Sequence, residues 1–209
     1  MNKLGKYYNR GRHPKGFWGM RALKSMNSKR HAQLPEWALG TIEIGDKAAM
    51  LDVGCGGGAN LARLLMKSPG GHATGLDFSQ QALELSADLN NNAIVDGFCS
   101  IVGGNAMQMP LAKDIFDLAT AFETIYYWAS IESGFSEIYR VLKPGGTVLI
   151  ANELDGLAPD DQILARVVGG MRIYTPDEIE QSLRDAGFTN VTRQHDEQRH
   201  FICVTARKP

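Results

Sequence analysis

Apolar positions along the chain follow two periods in turn. Short apolar runs bounded by turn residues cover 48–54 (AAMLDVG), 72–78, 98–105, 114–122 and 147–153 and read as buried strands. Between them the period lengthens to that of a helix. Leu61, Leu64 and Leu65 share one face over 60–67, and Ser68-Pro69-Gly70-Gly71 stops the run. Ser79 is a good N-cap for a helix over 80–90, and 130–142 reads as a helix stopped by Lys143-Pro144-Gly145-Gly146. Thr175, Pro176 and Glu178 occupy the N-cap, N1 and N3 positions of a helix that runs to Ala186 and stops at Gly187. Two last strand-like runs, 188–194 and 200–207, flank the polar stretch 195–199 and predict a hairpin. Near the N-terminus, Trp18, Ala22, Leu23 and Met26 fit one helical face. Leu34, Trp37, Ala38 and Leu39 fit a second short helix with Pro35 in its first turn.

Strands alternating with helices require right-handed crossovers. The expected fold is therefore α/β: a mainly parallel, seven-stranded, doubly wound sheet closed by a C-terminal antiparallel hairpin strand. Residues 154–174 are an insertion, read as a lid or a short packed helix. With 209 residues, 44% apolar and 22% charged, the composition excludes disordered and fibrous classes and suits a single domain over 1–209. No apolar run reaches the length of a membrane span and no signal-peptide core is visible. Cys55, Cys99 and Cys203 are odd in number and far apart, which predicts a reduced, cytoplasmic chain and no metal site. The net charge of −1 hides an asymmetry: residues 1–30 hold nine of the 22 basic residues and none of the 23 acidic ones. A solvated basic arm is the first reading and an anionic small-molecule substrate the second. The acidic remainder argues against nucleic acid.

The chemistry centres on Leu51-Asp52-Val53-Gly54-Cys55-Gly56-Gly57-Gly58-Ala59, between the first strand and the first helix of the sheet. Glycines there allow a tight turn and a close approach of ligand to main chain. Gly54, Gly56 and Ala59 also satisfy G-x-G-x-x-G/A, and Asp77, 18 residues beyond Ala59, is the acid that would grip ribose hydroxyls. By spacing alone a nicotinamide or flavin dinucleotide fits as well as another adenosine cofactor. Asp52 opposes a pyrophosphate at the loop and favours a cationic group, and the chain leaves no room for the separate substrate domain of many dehydrogenases.

Further along, GLDFS (75–79), GGNAMQMPLAKDIFDLATAF (103–122), EIYRVLKPGGTVLIANE (137–153) and YTPDEIEQSLRDAGFTNV (174–191) occur in order after LDVGCGGG. Together they resemble the class I S-adenosylmethionine-dependent methyltransferases of the small-molecule type, similar to the ubiquinone/menaquinone methyltransferases. The resemblance covers roughly residues 46–207. It implies a Rossmann-like core over 46–209, a helical cap over 1–45, and S-adenosyl-L-methionine as cofactor. It further implies Gly54, Cys55 and Gly56 as the cofactor loop, with Cys55 offering its backbone N–H, and Asp77 on the ribose with Phe78 beside the adenine. Asn105 and Ala106 fall at the adenine edge, where Asn replaces the family's usual Asp. Asp52, Phe122 and Glu123 fall near the amino-acid end of the cofactor.

The segment Phe122–Trp128 after the fourth strand is the expected acceptor wall, aromatic with one carboxylate. It carries neither an Asn/Asp-Pro-Pro-aromatic motif nor a Pro-Cys pair, which argues against nucleic-acid bases as acceptors. The candidates for a catalytic group are Glu123, Tyr126 and His31. Trp18 is a candidate to close on the cofactor, and His195 and His200 are expected in solvent. The expected activity is methyl transfer to a small anionic or aromatic acceptor by in-line displacement. A nicotinamide-dependent oxidoreductase and a non-catalytic S-adenosylmethionine-binding module are the alternatives.

Overall fold

The sheet order explains where a site can form. In the computed structural model, which describes residues 29–167 and 171–209, seven strands form one sheet: β1 (Ala49–Val53), β2 (His72–Asp77), β3 (Cys99–Gly103), β4 (Phe116–Phe122), β5 (Leu142–Asn152), β6 (Thr189–Asp196) and β7 (Phe201–Arg207). Their order is β3-β2-β1-β4-β5-β7-β6. β1 to β5 pair in parallel, and β7 lies antiparallel to both β5 and β6. The chain leaves β1 toward β2 on one side and returns to β4 on the other. The sheet therefore reverses its winding between β1 and β4, and the loops after those two strands flank the crevice where ligands of such sheets collect.

Helices cover both faces. On one face, Met50, Leu118, Leu149 and Cys203 of the sheet pack with Leu34 and Ala38 of α1 (Gln33–Leu39) and Leu61 and Leu64 of α2 (Ala59–Lys67). α3 (Gln80–Leu89) and α4 (Asn91–Val95) lead into β3. On the other face, Leu51, Ala119, Val148 and Val204 pack with Phe135 and Ile138 of α5 (Ile131–Val141) and Ile179 and Leu183 of α7 (Pro176–Asp185). The insertion is a short packed helix, α6 (Pro159–Val167), whose Leu164 and Ala165 join Tyr126, Met171 and Ile173 in a third apolar cluster. Of the expected N-terminal cap, the structure describes the part from Lys29. α1 forms around Pro35 as predicted, while Trp18 and the basic arm up to position 28 lie outside the described residues.

The local signals at helix starts hold. Ser79 Oγ accepts from the Ala82 N–H, and Thr175 forms a complete capping box with Glu178. Thr175→Ala removes the side-chain half of that box. It is expected to lower the unfolding free energy by about 1 kcal/mol in urea titrations, with cofactor affinity unchanged. One boundary differs from expectation. Lys143-Pro144-Gly145-Gly146 does not end the helix in a free turn. The strand begins at once at Leu142, paired with Phe116, and regular pairing resumes only at Leu118 with Thr147. The extra residues bulge out. Lys208 holds them, its carbonyl accepting from the Gly145 N–H and its N–H donating to the Gly146 carbonyl. Lys143 Nζ reaches both oxygens of Asp117, at 2.8 and 2.9 Å.

Candidate functional site

Three loops meet at the carboxyl ends of β1, β2 and β3, and Asp77 ties them together. Its Oδ2 accepts from the Gly56 N–H at 2.9 Å, and its Oδ1 accepts from the Ser79 N–H at 2.9 Å. Its carbonyl accepts from the Gly104 N–H, also at 2.9 Å, which brings Asn105 and Ala106 alongside. Burial pushes the Asp77 carboxyl above its usual range, against the pull of these N–H donors. The Gly54 and Cys55 N–H groups both go to the Leu76 carbonyl, at 2.7 and 3.0 Å. This corrects the expectation that Cys55 holds its N–H toward a ligand: the loop spends it on fixing its own shape. The Cys55 thiol is buried, and burial raises it well above the ordinary thiol range. Phe78 is 58% exposed beside Asp77. Asn105 is exposed, and its Oδ1 accepts from the Met107 N–H at 3.0 Å, closing a local turn.

Glycine is required at two points of the first loop for different reasons. Gly54 has φ +76°, and a Cβ there would fall 2.1 Å from Thr124 Oγ1. The loop after β1 thus lies directly against the loop after β4. Gly56 has φ +52°, and a Cβ there would meet nothing within 4 Å, so its main chain faces open space.

Asp52, at the end of β1, is only 1% exposed. Thr120 Oγ1 donates to its Oδ1 at 2.8 Å, while Oδ2 has no partner among the described residues. Burial first, and the charge of Asp77 after it, push its pKa up to about 7.

The second half of the crevice follows β4. Glu123 adopts φ +58°, a left-handed conformation uncommon for a residue with a side chain. Its N–H donates to the Ala151 carbonyl, and its Oε1 accepts from the Glu153 N–H. The Tyr126 hydroxyl lies 3.1 Å from the same oxygen and accepts from the Leu154 N–H at 2.9 Å. Burial, then the neighbouring Glu153, push Glu123 up to about 8. Glu153 is a site residue that the sequence reading misses. The available signal is its position at the end of the fifth strand, beside the acid that ends the fourth. His31 Nδ1 comes within 3.4 Å of Glu153 Oε1, so the described part of the cap brings this candidate to the same cluster.

The aromatic wall is only partly a wall. Tyr126 is 2% exposed with its hydroxyl engaged, and Trp128 turns inward. Trp128 packs edge-on against Phe135 at 6.0 Å, over Gly134, where a Cβ would lie 2.3 Å from its ring. Phe122 is buried in the core cluster on the α1–α2 side of the sheet. Away from the crevice, His200 is exposed, as expected, while His195 is only partly so. Their ring nitrogens lie 2.9 and 3.2 Å from one oxygen of the buried Asp155. Among the described residues, no group of three or more His, Cys, Asp and Glu side chains could hold a metal ion.

Residues 51–150, which include the glycine loop, Asp77, Asn105 and Glu123, match the sequence profile described as Methyltransferase domain. The match covers 100 of the chain's 209 residues. An O-methyltransferase of Aspergillus sclerotiorum is 32% identical over 143 residues, spanning 66% of this chain and 54% of that protein. Cycloartenol-C-24-methyltransferase of Arabidopsis thaliana is 33% identical over 170 residues, 77% of this chain and 49% of the relative. The chain thus spans about half the length of these two relatives. Phosphoethanolamine N-methyltransferase 2 of Haemonchus contortus, solved with S-adenosyl-L-methionine, superposes with a TM-score of 0.80 at 16% identity, over all of this chain and 60% of that one. At that identity the likeness is one of fold, the Rossmann-like α/β architecture. No helix among the described residues is long and apolar enough to cross a membrane.

Proposed function

We propose that this chain transfers a methyl group from S-adenosyl-L-methionine to a small-molecule acceptor. The observation that carries the reading is the clasp around Asp77. One carboxylate fixes the glycine loop and the start of α3, and its carbonyl fixes the Asn105 loop, all within the residues that match the methyltransferase profile and beside the point where the sheet reverses.

The residues present suit such a donor. Gly54, Cys55 and Gly56 form a floor of main chain with open space above Gly56. The Asp77 carboxylate accepts from the Gly56, Ser79 and Phe78 N–H groups in the free protein and, with two oxygens, retains acceptor capacity for a ribose hydroxyl. Phe78 offers an exposed ring to the adenine, and Asn105 and Ala106 line its edge. Asp52, with an oxygen lacking a partner, and Glu123 are the carboxyl groups suited to a cationic amino-acid end, with Phe122 beside them. When bound, the donor supplies a methyl carbon activated by a sulfonium: the acceptor's lone pair forms the new bond as the C–S bond breaks and its electron pair returns to sulfur. The chain contributes alignment and exclusion of water. His31, held by Glu153 next to Glu123, is the group placed to take a proton from an acceptor that carries one. Tyr126 acts on this reading by holding Glu123.

Residues 1–45 then act as a cap on a single domain, with 46–209 as its core. The resemblance to the ubiquinone/menaquinone methyltransferases supports a planar acceptor. Three buried free cysteines support a reducing compartment such as the cytoplasm.

A thermal-shift comparison tests the donor. S-adenosylhomocysteine at 100-fold over its dissociation constant adds about 2.7 kcal/mol, or roughly 5–10 °C in a domain of this size, whereas NAD leaves the midpoint in place. A shift with NAD and none with S-adenosylhomocysteine would reverse the assignment.

A further inference from the structure

A pocket of about 300 Å³ opens between α6 and the first turn of α7, lined by Ala165, Arg166, Met171, Arg172, Ile173 and Glu178. Three features set it apart from a surface dent. Its floor is apolar and buried: Met171 and Ile173 are 7% and 4% exposed and pack on Tyr126. That floor is joined to the site, because the Arg172 N–H donates to the Tyr126 carbonyl at 2.9 Å and Tyr126 reaches Glu123 through its hydroxyl. Its cations are also unequal. Arg172 is held in place, with its guanidinium 4.6 Å over the Tyr174 ring and 3.1 Å from Glu178 Oε1. Arg166 is exposed and has no ion-pair partner among the described residues. Glu178 lines the pocket and Glu132 also lies near Arg172, which leaves Arg166 as the cation at the mouth without an ion-pair partner among the described residues.

We propose that this pocket seats the acceptor, and that the acceptor is an oxyanion on an apolar or planar body. Arg166 takes the oxyanion, the fixed Arg172 assists, and Met171 and Ile173 receive the apolar part. The guanidinium fork suits a carboxylate, sulfonate or phosphate alike, and the restraint already placed on Arg172 lowers the ordering cost of binding. Calling the ligand an acceptor rests on the donor reading above; the pocket as an anion site does not.

The test uses the full chain and 8-anilinonaphthalene-1-sulfonate, followed by fluorescence, with benzoate and phenyl phosphate as competitors. Arg166→Gln is expected to weaken the probe five- to tenfold, and Arg166→Gln with Arg172→Gln more than tenfold. Arg166 has no partner to lose, so the single variant should melt within about 2 °C of wild type. The uncharged N-phenyl-1-naphthylamine should bind both forms equally, and whichever competitor displaces the sulfonate at lower concentration identifies the preferred head group. Saturating S-adenosylhomocysteine should leave the probe bound. No binding to wild type, equal binding to Arg166→Gln, an equal loss of the neutral probe, or displacement by S-adenosylhomocysteine would each overturn the proposal. Thermal shift with S-adenosylhomocysteine in the same samples separates the two ideas. If it stabilises the protein while the probe ignores Arg166, the pocket fails alone. If it does not stabilise while the probe obeys Arg166, the donor reading fails and the anion site stands.

Discussion

Between pH 5.5 and pH 9 the ligand-free protein is expected to lose about 5 kcal/mol of unfolding free energy, at about 1.4 kcal/mol for each tenfold gain in proton affinity that folding confers on two buried carboxyls. Asp52 and Glu123 are pushed up to about 7 and about 8 in the folded state. A folded pKa above the unfolded one means the native state holds the proton more tightly. The stabilisation is complete below the unfolded value near 4 and drains away as the pH rises through 7 and 8. Carboxyls with lowered values, such as Glu137 beside Arg140, act in the opposite sense but at acid pH, outside this window. Urea titrations of wild type, Asp52→Asn and Glu123→Gln at both pH values provide the check. Each amide should remove part of the slope and should be less harmful at pH 9 than at pH 5.5. A slope shared unchanged by all three proteins would show that neither carboxyl carries it. The proposed donor brings an ammonium and a sulfonium, which favour the ionised carboxyls. Its affinity should therefore rise with pH over the same range, with proton release seen as a buffer-dependent heat in calorimetry.

Asp77→Ala is expected to weaken S-adenosylhomocysteine binding 10- to 100-fold, about 1.5–3 kcal/mol for hydrogen bonds to a charged acceptor. Two losses combine. The ribose loses its acceptor, and the Gly56 and Ser79 N–H groups lose the oxygens that hold the glycine loop and the start of α3 in register. Asp77→Asn separates them only in part, because the amide nitrogen must face one of two N–H donors; it should fall closer to Ala than to wild type. An unchanged dissociation constant in calorimetric titration would remove Asp77 from the site.

The strand and helix pattern is legible in the sequence because it is written locally. Leu61 and Leu64, the Ser79 cap and the Thr175–Glu178 box each report on residues within four positions of themselves. Where sequence and structure differ, partners distant in the chain decide. Lys143–Gly146 looks like a stop until Lys208 and Asp117 hold it as a bulge. His195 looks solvated because Asp155, which holds it partly buried, is 40 residues away. Cys55 looks available because the claim of Leu76 on its N–H depends on the β1–β2 register. At the site, glycine, Asp77 and Glu123 can be named from sequence, since their chemistry is tied to residue type and to strand ends. Thr124 and the Arg166–Arg172 pair cannot, because what makes them relevant is proximity across loops.

The place of β7 has a consequence for biosynthesis. This strand lies between β5 and β6, although it follows both in the chain. While a ribosome is still holding 201–207, β5 presents an open edge and β6 has nothing to pair with. The sheet can close only when these residues emerge and slot into the gap, so the nascent chain carries an adhesive apolar edge until then. Chaperone demand should concentrate in that interval.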